Sequence, residues 1–190
     1  MKTAFIIFSQ MTALDLIGVY DPLTRLKSMN FVPEFNWEVC AFTAKVFDDK
    51  GLRFTPDKVA EPLKEYDIIV VPGGFGTRSL QHDKAFMEWL RSAESVKLKT
   101  SVCTGSLLLG SAGFLTGKRA TTHPNAFDEL KPYCDAVVDQ RIVDEGGVVT
   151  ARGVTSSIDL GLHLVERLAG SEARVSIAKQ MDYPYAKLNQ

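Results

Sequence analysis

Cys103 sits where two structural patterns meet. The segment KTSVCTGSLLLGSAGF, residues 99 to 114, runs from polar and β-branched residues into the cysteine and then, without a linker, into a small-residue helical pattern. A residue wedged between a strand's last bond and a helix's first turn is held in a tight bend with its side chain projecting into the adjoining crevice, the nucleophile-elbow geometry. Thr104, Gly105 and Ser106 let the chain turn that sharply. Facing the positive end of a helix, a thiol's pKa falls from about 8.5 toward neutrality, which predicts a Cys103 that is partly or largely thiolate at pH 7. Most free cysteines are small buried hydrophobes. That reading suits Cys40 in WEVCAF and Cys134 in KPYCDA, whereas the elbow position points Cys103 toward function.

A thiol that builds a covalent adduct needs a proton donor or acceptor and a group to stabilise developing charge. Asp15, in ALDLIG just past the first apolar run, is the candidate for the proton, because apolar neighbours would desolvate its carboxyl and raise its pKa. A helix N-cap is its plainer reading, and Asp21, two turns further on, points away from the strand ends. Gly73 and Gly74 in PGGFG follow the most apolar run, IIVV at 68 to 71, where their N–H groups could approach the sulfur and, with the N–H of Thr104, form an oxyanion-type hole. A plain turn explains the same residues equally well. The stretch lacks the spacing and the acidic ribose partner of a dinucleotide fingerprint. His123 in ATTHPNAF and Arg152 in ARGVTSS could reach the same rim, although a lone histidine is more often structural. His163, inside LGLHLVERL, reads as packed or at an interface, and His82 as exposed.

These residues need a scaffold that gathers strand ends. Short β-rich runs recur at 3–8, 38–43, 67–71, 100–102 and 148–151. Helical patterns fall at 14–29 (interrupted at Pro22), 83–96, 104–115, 124–132, 155–168 and 171–181. The alternation predicts one doubly wound α/β domain over residues 1–190, with a mainly parallel sheet covered by helices on both faces. Two hairpins decorate it, turning at Asp49-Lys50-Gly51 and Glu145-Gly146-Gly147. In such sheets ligands collect beyond the carboxyl ends of the strands, where SQMTALD, PGGFGTR, CTGS and RGVTSS all fall.

The bulk numbers agree with a small-molecule protein. With 22 basic and 23 acidic residues the chain has no field to draw nucleic acid or an anionic membrane. Three widely spaced cysteines without a CxxC pair argue against a disulfide framework and a zinc site. The apolar run 4–8 is too short for a signal-peptide core or a membrane span, so a cytoplasmic location is expected.

Together LDLIG, VVPGGFG, TSVCTGSLLLGSAGFLTGKRATTHP and GVVTARGVTSSIDLGLHLVERL resemble the ThiJ/PfpI family of the class I glutamine amidotransferase-like superfamily, in order from about residue 3 to 170. Within it the Cys-Thr-Gly-Ser order, followed by Arg-Ala-Thr-Thr-His, is most similar to the isocyanide (isonitrile) hydratases. The resemblance implies a flavodoxin-like fold with Cys103 as the elbow nucleophile and Thr104 contacting the reacting centre. It implies Asp15 in the place where deglycase-like members carry glutamate, and Gly74 donating an N–H opposite the sulfur. Gly73, His123 and Arg152 would belong to the pocket.

Departures narrow the choice. Thr104 stands where the family's proteases carry histidine, and no His-x-Glu pair of the glutamine amidotransferase kind follows His123 or His163. One departure runs against the hydratases: Pro124 stands, as in the deglycase-like proteins, where an aromatic residue often follows the histidine, and the tail after about residue 185 is short. The implied reaction is hydration of an isocyanide to an N-substituted formamide through a covalent thioimidate, with no metal or organic cofactor, in a homodimer to which the 155–168 helix could contribute, although an internal core face explains that helix as well. A glyoxalase- or deglycase-like action on α-oxoaldehydes, or a non-enzymatic role for Cys103 as an oxidation sensor, are the alternatives. A ligand-binding domain of a transcription regulator is a further one, against which the absence of a DNA-binding segment and the balanced charge argue.

Overall fold

The computed structural model describes residues 1–184; the short tail noted above lies outside the described residues. The chain opens with β1 (Lys2–Ile7), α1 (Ala13–Ser28), β2 (Asn36–Ala41), β3 (Val46–Phe47), β4 (Arg53–Phe54) and β5 (Lys58–Val59). It continues through β6 (Ile68–Val71), α2 (Thr77–Leu80), α3 (Lys84–Arg91), β7 (Leu98–Val102) and α4 (Gly105–Ser111). Then come β8 (Arg119–Ala120), α5 (Phe127–Leu130), β9 (Ala136–Val137), β10 (Ile142–Asp144), β11 (Val148–Ala151) and α6 (Ser156–Gln180).

Seven strands form the main sheet in the order β10-β11-β7-β6-β1-β2-β5, parallel throughout except for the β10–β11 hairpin. The fold is the flavodoxin-like α/β class of the sequence reading. Strand order reverses between β1 and β6: from β1 the chain goes outward to β2, and from β6 it goes the other way to β7. Such a switch point leaves a crevice beyond the strand ends, and the segments after β1, β6 and β7 all open onto it. The central strands are buried along their length, as IIVV of β6 requires. Both anticipated hairpins form, β3–β4 around Asp49-Lys50-Gly51 and β10–β11 around Glu145-Gly146-Gly147.

Several elements differ from the pattern. Helix α1 runs unbroken through Pro22, which is buried against α6. The carbonyl that the proline cannot engage, that of Gly18, lies 3.1 Å from where a Cβ on Gly161 would stand, and the proline ring occupies the same gap at 2.3 Å. Helix α4 stops at Ser111 and reverses through Gly113, at φ +90°. The stretch 124–132 breaks into short helical turns, and α3 is confined to 84–91 with Asp83 capping Ala85 and Phe86. Gly170, at φ +86°, kinks α6 between the two helical patterns that were expected there. The apolar face of α6 is buried within the chain against α1, the core-face reading of that helix.

Close approach of α1 and α6 depends on two glycines. A Cβ on Gly18 would stand 2.0 Å from Ser157 Oγ, and one on Gly161 would meet the Pro22 ring. Gly161→Ala is therefore expected to overpack this contact and cost about 1–3 kcal/mol, read as a lowered urea midpoint at unchanged slope.

Candidate active site

Cys103 occupies the elbow with φ +54°, a left-handed backbone uncommon for a residue with a side chain. The bend is clamped from all sides. The Cys103 N–H donates to the carbonyls of Ala151 and Arg152 at 3.0 and 2.7 Å, while its own carbonyl accepts from the hydroxyls of Thr122 and Ser106 at 3.0 and 3.1 Å. Gly105 completes the turn, since a Cβ there would stand 2.3 Å from the Val71 carbonyl oxygen. The side chain is 6% exposed and faces a cavity of about 210 Å³ lined by Thr12, Gly74, Phe75, Thr104, His123 and Val154, among others.

Asp15 sits in the first turn of α1 but does not cap it. Its Oδ2 instead reaches across the switch point and accepts the Gly73 N–H at 2.9 Å. Its Oδ1 is sealed and, among the described residues, has no partner of hydrogen-bond geometry, although the Cys103 thiol is near enough to act on the carboxyl. Both side chains press on Gly73, where a Cβ would meet Thr104 N at 2.6 Å, Cys103 Cβ at 2.8 Å and Asp15 Oδ2 at 2.9 Å. Burial pushes the Asp15 carboxyl up from 3.8 to about 7, overcoming the Gly73 and Cys103 hydrogen bonds that favour the anion, and Asp49 adds a further push upward.

The thiol departs from the sequence expectation. Burial, then the neighbouring Asp15 charge, push Cys103 up from 9.0 to about 12, against hydrogen bonds from the Thr104 N–H and hydroxyl that favour the thiolate. Only seven residues follow in α4, so the helix field is weak beside the loss of water. Near pH 7 the pair therefore moves between two protons and one, and the remaining proton belongs to both groups.

The oxyanion arrangement is also different from the one anticipated. The Gly73 N–H is committed to Asp15, and the Gly74 N–H donates to Thr104 Oγ1 at 3.0 Å, so neither glycine donor is free. They act as props for the carboxyl and the threonine, leaving Thr104 to address the sulfur with its N–H and with a hydroxyl proton for which the Gly74 carbonyl, at 3.1 Å, competes. Thus Cys103, Asp15, Thr104, Gly73 and Gly74 come together, and His123 joins the cavity wall with its Nδ1 turned to the Asn125 N–H at 3.2 Å. Arg152 does not line the cavity: its guanidinium pairs with Asp139 at 3.0 Å, and only its carbonyl serves the elbow. His163 is engaged with Asp144 at 2.7 Å beside Arg167, and His82 is exposed. Sequence reasoning missed Thr12, Phe75, Arg78, Asn125 and Val154 as wall residues; the strand-end segments that carry Thr12, Phe75, Arg78 and Val154 were its nearest signal. Among the described residues no three His, Cys, Asp or Glu side chains are grouped to hold a metal, and no helix is long and apolar enough to cross a membrane.

Residues 1–167 match the DJ-1/PfpI family. The chain is 37% identical over 185 residues to isonitrile hydratase of Pseudomonas putida, covering 96% of this chain and 78% of that one. It is 29% identical over 135 residues to glutathione-independent glyoxalase DJR-1.2 of Caenorhabditis elegans, covering 70% and 72%. The crystal structure of a ThiJ/PfpI family protein from Pseudomonas syringae superposes with a TM-score of 0.87 at 26% identity, over 96% of this chain and 75% of that one.

Because the Asp15 pKa is higher folded than unfolded, its protonated form favours the folded state: the benefit is complete below about pH 4 and is lost as pH rises through about 7. Asp15→Asn carries no such charge, so its unfolding free energy relative to the unsubstituted chain should rise by about 2–4 kcal/mol between pH 4 and pH 8, followed by denaturation at both pH values.

Proposed function

This chain belongs to the DJ-1/PfpI family, and from that membership together with its buried thiol–carboxyl pair we propose that it hydrates isocyanides to N-substituted formamides. The observation that carries the reading is Asp15: a sealed carboxyl, poised near neutrality, with one oxygen fixed by Gly73 and the other unengaged beside Cys103.

The chemistry follows from one proton shared by two groups. Asp15 as carboxylate accepts the Cys103 proton while the sulfur attacks the terminal isocyanide carbon, and then delivers that proton to the same carbon. The product is a thioimidate, with a new S–C bond and a new C–H bond. Asp15, again a carboxylate, takes a proton from water as the oxygen adds to the C=N carbon and passes it to nitrogen. Collapse of the tetrahedral adduct breaks the C–S bond, returns the hydroxyl proton to the pair and releases the formamide, so that one water has been consumed. Thr104, through its N–H and hydroxyl, stabilises the sulfur whenever it carries charge. The burial that raises both pKa values also keeps bulk water from competing for that proton.

The glyoxalase relative supports a second reading, in which the same thiol adds to an α-oxoaldehyde as a hemithioacetal. Aspartate in place of the deglycases' glutamate favours the hydratase. We propose further a cytoplasmic homodimer acting on a small molecule.

Cyclohexyl isocyanide offered to the purified protein should disappear from the infrared spectrum as N-cyclohexylformamide accumulates, and methylglyoxal should yield no lactate. Cys103→Ala is expected to abolish turnover, and Thr104→Val to lower kcat by about 10–100-fold, since one of the two donors remains. kcat/KM should climb through about pH 7 as Asp15 ionises, and that limb should vanish in Asp15→Asn. Intact isocyanide with active methylglyoxal turnover would exchange the first reading for the second.

A further inference from the structure

We infer that the substituent of the substrate leaves the Cys103 cavity across Phe75 and lies in a second groove, which selects isocyanides bearing a bulky aromatic group; this rests on the hydratase reading. The Cys103 cavity of about 210 Å³ is below the range of about 300–1,000 Å³ usual for whole-ligand sites. A cavity of about 150 Å³ already accepts benzene, so this one takes the reacting carbon and nitrogen with a substituent of about one ring, and a fused or longer group must extend beyond it. A second, open groove of about 500 Å³ is lined by Ser9, Gln10, Phe47, Asp48, Asp49 and Phe75. Phe75 belongs to the walls of both.

Phe75 is 71% exposed, the most of any large apolar side chain among the described residues. Its neighbours give it no choice. A Cβ on Gly74 would stand 2.4 Å from the Gln10 carbonyl oxygen and one on Gly76 would stand 2.3 Å from that of Ser9, so the backbone on either side is pressed against the loop after β1. An aromatic ring is thus held at the lip between the two spaces. Phe47, 39% exposed, supplies the groove's second ring.

The two walls are tied together through Gln10. Held at φ +64°, it donates its N–H to the Phe47 carbonyl at 2.8 Å and accepts from the Gly76 N–H at 3.2 Å. The groove is therefore shaped by the backbone, and it adjoins the reacting site at Phe75. One oxygen of each of its carboxylates is engaged: Asp48 Oδ1 accepts the N–H groups of Lys50 and Leu52, and Asp49 Oδ2 pairs with the Lys50 ammonium at 2.7 Å. For an uncharged planar arene the groove offers the faces of Phe75 and of Phe47, the latter with the Arg53 guanidinium 5.9 Å from its centroid, and rings of this kind stack on an arene.

The test compares a small with a bulky ligand in two ways. KM is measured for methyl and 2-naphthyl isocyanide, and affinity is measured on a Cys103→Ala background for N-methylformamide and N-(2-naphthyl)formamide. Phe75→Ala and Phe47→Ala should each lower the preference for the naphthyl ligand, about tenfold for Phe75, in both measurements. Equal losses for both ligands, or no loss, overturn the inference. So does a Phe75→Ala protein that changes oligomeric state while keeping its naphthyl preference, because the groove then belongs to a second copy. Failure of the unsubstituted protein to consume methyl isocyanide removes the hydratase reading instead, while the formamide affinities still decide the groove.

Discussion

The hydrogen bond from the Gly73 N–H to Asp15 Oδ2 ties the loop after β6 to the first turn of α1 at the point where strand order reverses. It fixes one oxygen of a carboxyl that α1 carries out of contact with solvent, and leaves the other beside the thiol. Burial alone would make such a carboxyl inert and neutral, and full solvation would make it a permanent anion. One N–H bond set against nearly complete burial leaves it between these limits, near 7. Everything chemical about the site depends on that balance.

The balance in turn requires main chain to approach main chain. Gly73, Gly74, Gly76 and Gly105 each stand where a Cβ would meet backbone atoms at under 3 Å, so the segments after β1, β6 and β7 pack main chain against main chain at these points. Helix α1 is brought to this position by its contact with α6, where Gly18 and Gly161 make room for the side chains of Ser157 and Pro22. The site is thus built from strand ends and glycines, while the cavity walls come from side chains that can vary without moving it.

Much of this was legible in the sequence, for identifiable reasons. The parallel sheet follows from apolar runs such as IIVV, the elbow from a cysteine between a strand pattern and a helical one, and Asp15 from its place just after the first strand. The rest involved competition between effects. The helix field on Cys103 is local and visible in the pattern TGSLLLG, but the burial that outweighs it comes from residues far away in the chain. Pro22 looked like a break because the residue that accommodates it, Gly161, lies on another helix. Arg152 looked like a wall residue because its partner, Asp139, belongs to a loop with no pattern of its own. Arg78 and Asn125 meet in one wall although they are 47 positions apart, and no periodicity encodes that.

The left-handed bend at Cys103 is secured by the carbonyls of Ala151 and Arg152 and by hydroxyls from Thr122 and Ser106, all acting on main-chain atoms. None of these bonds involves sulfur. The turn is accordingly a socket whose shape belongs to the scaffold and not to its occupant, so the architecture can outlive a change of reagent: fit the position with a different small functional group, and the same oriented crevice is there to receive it.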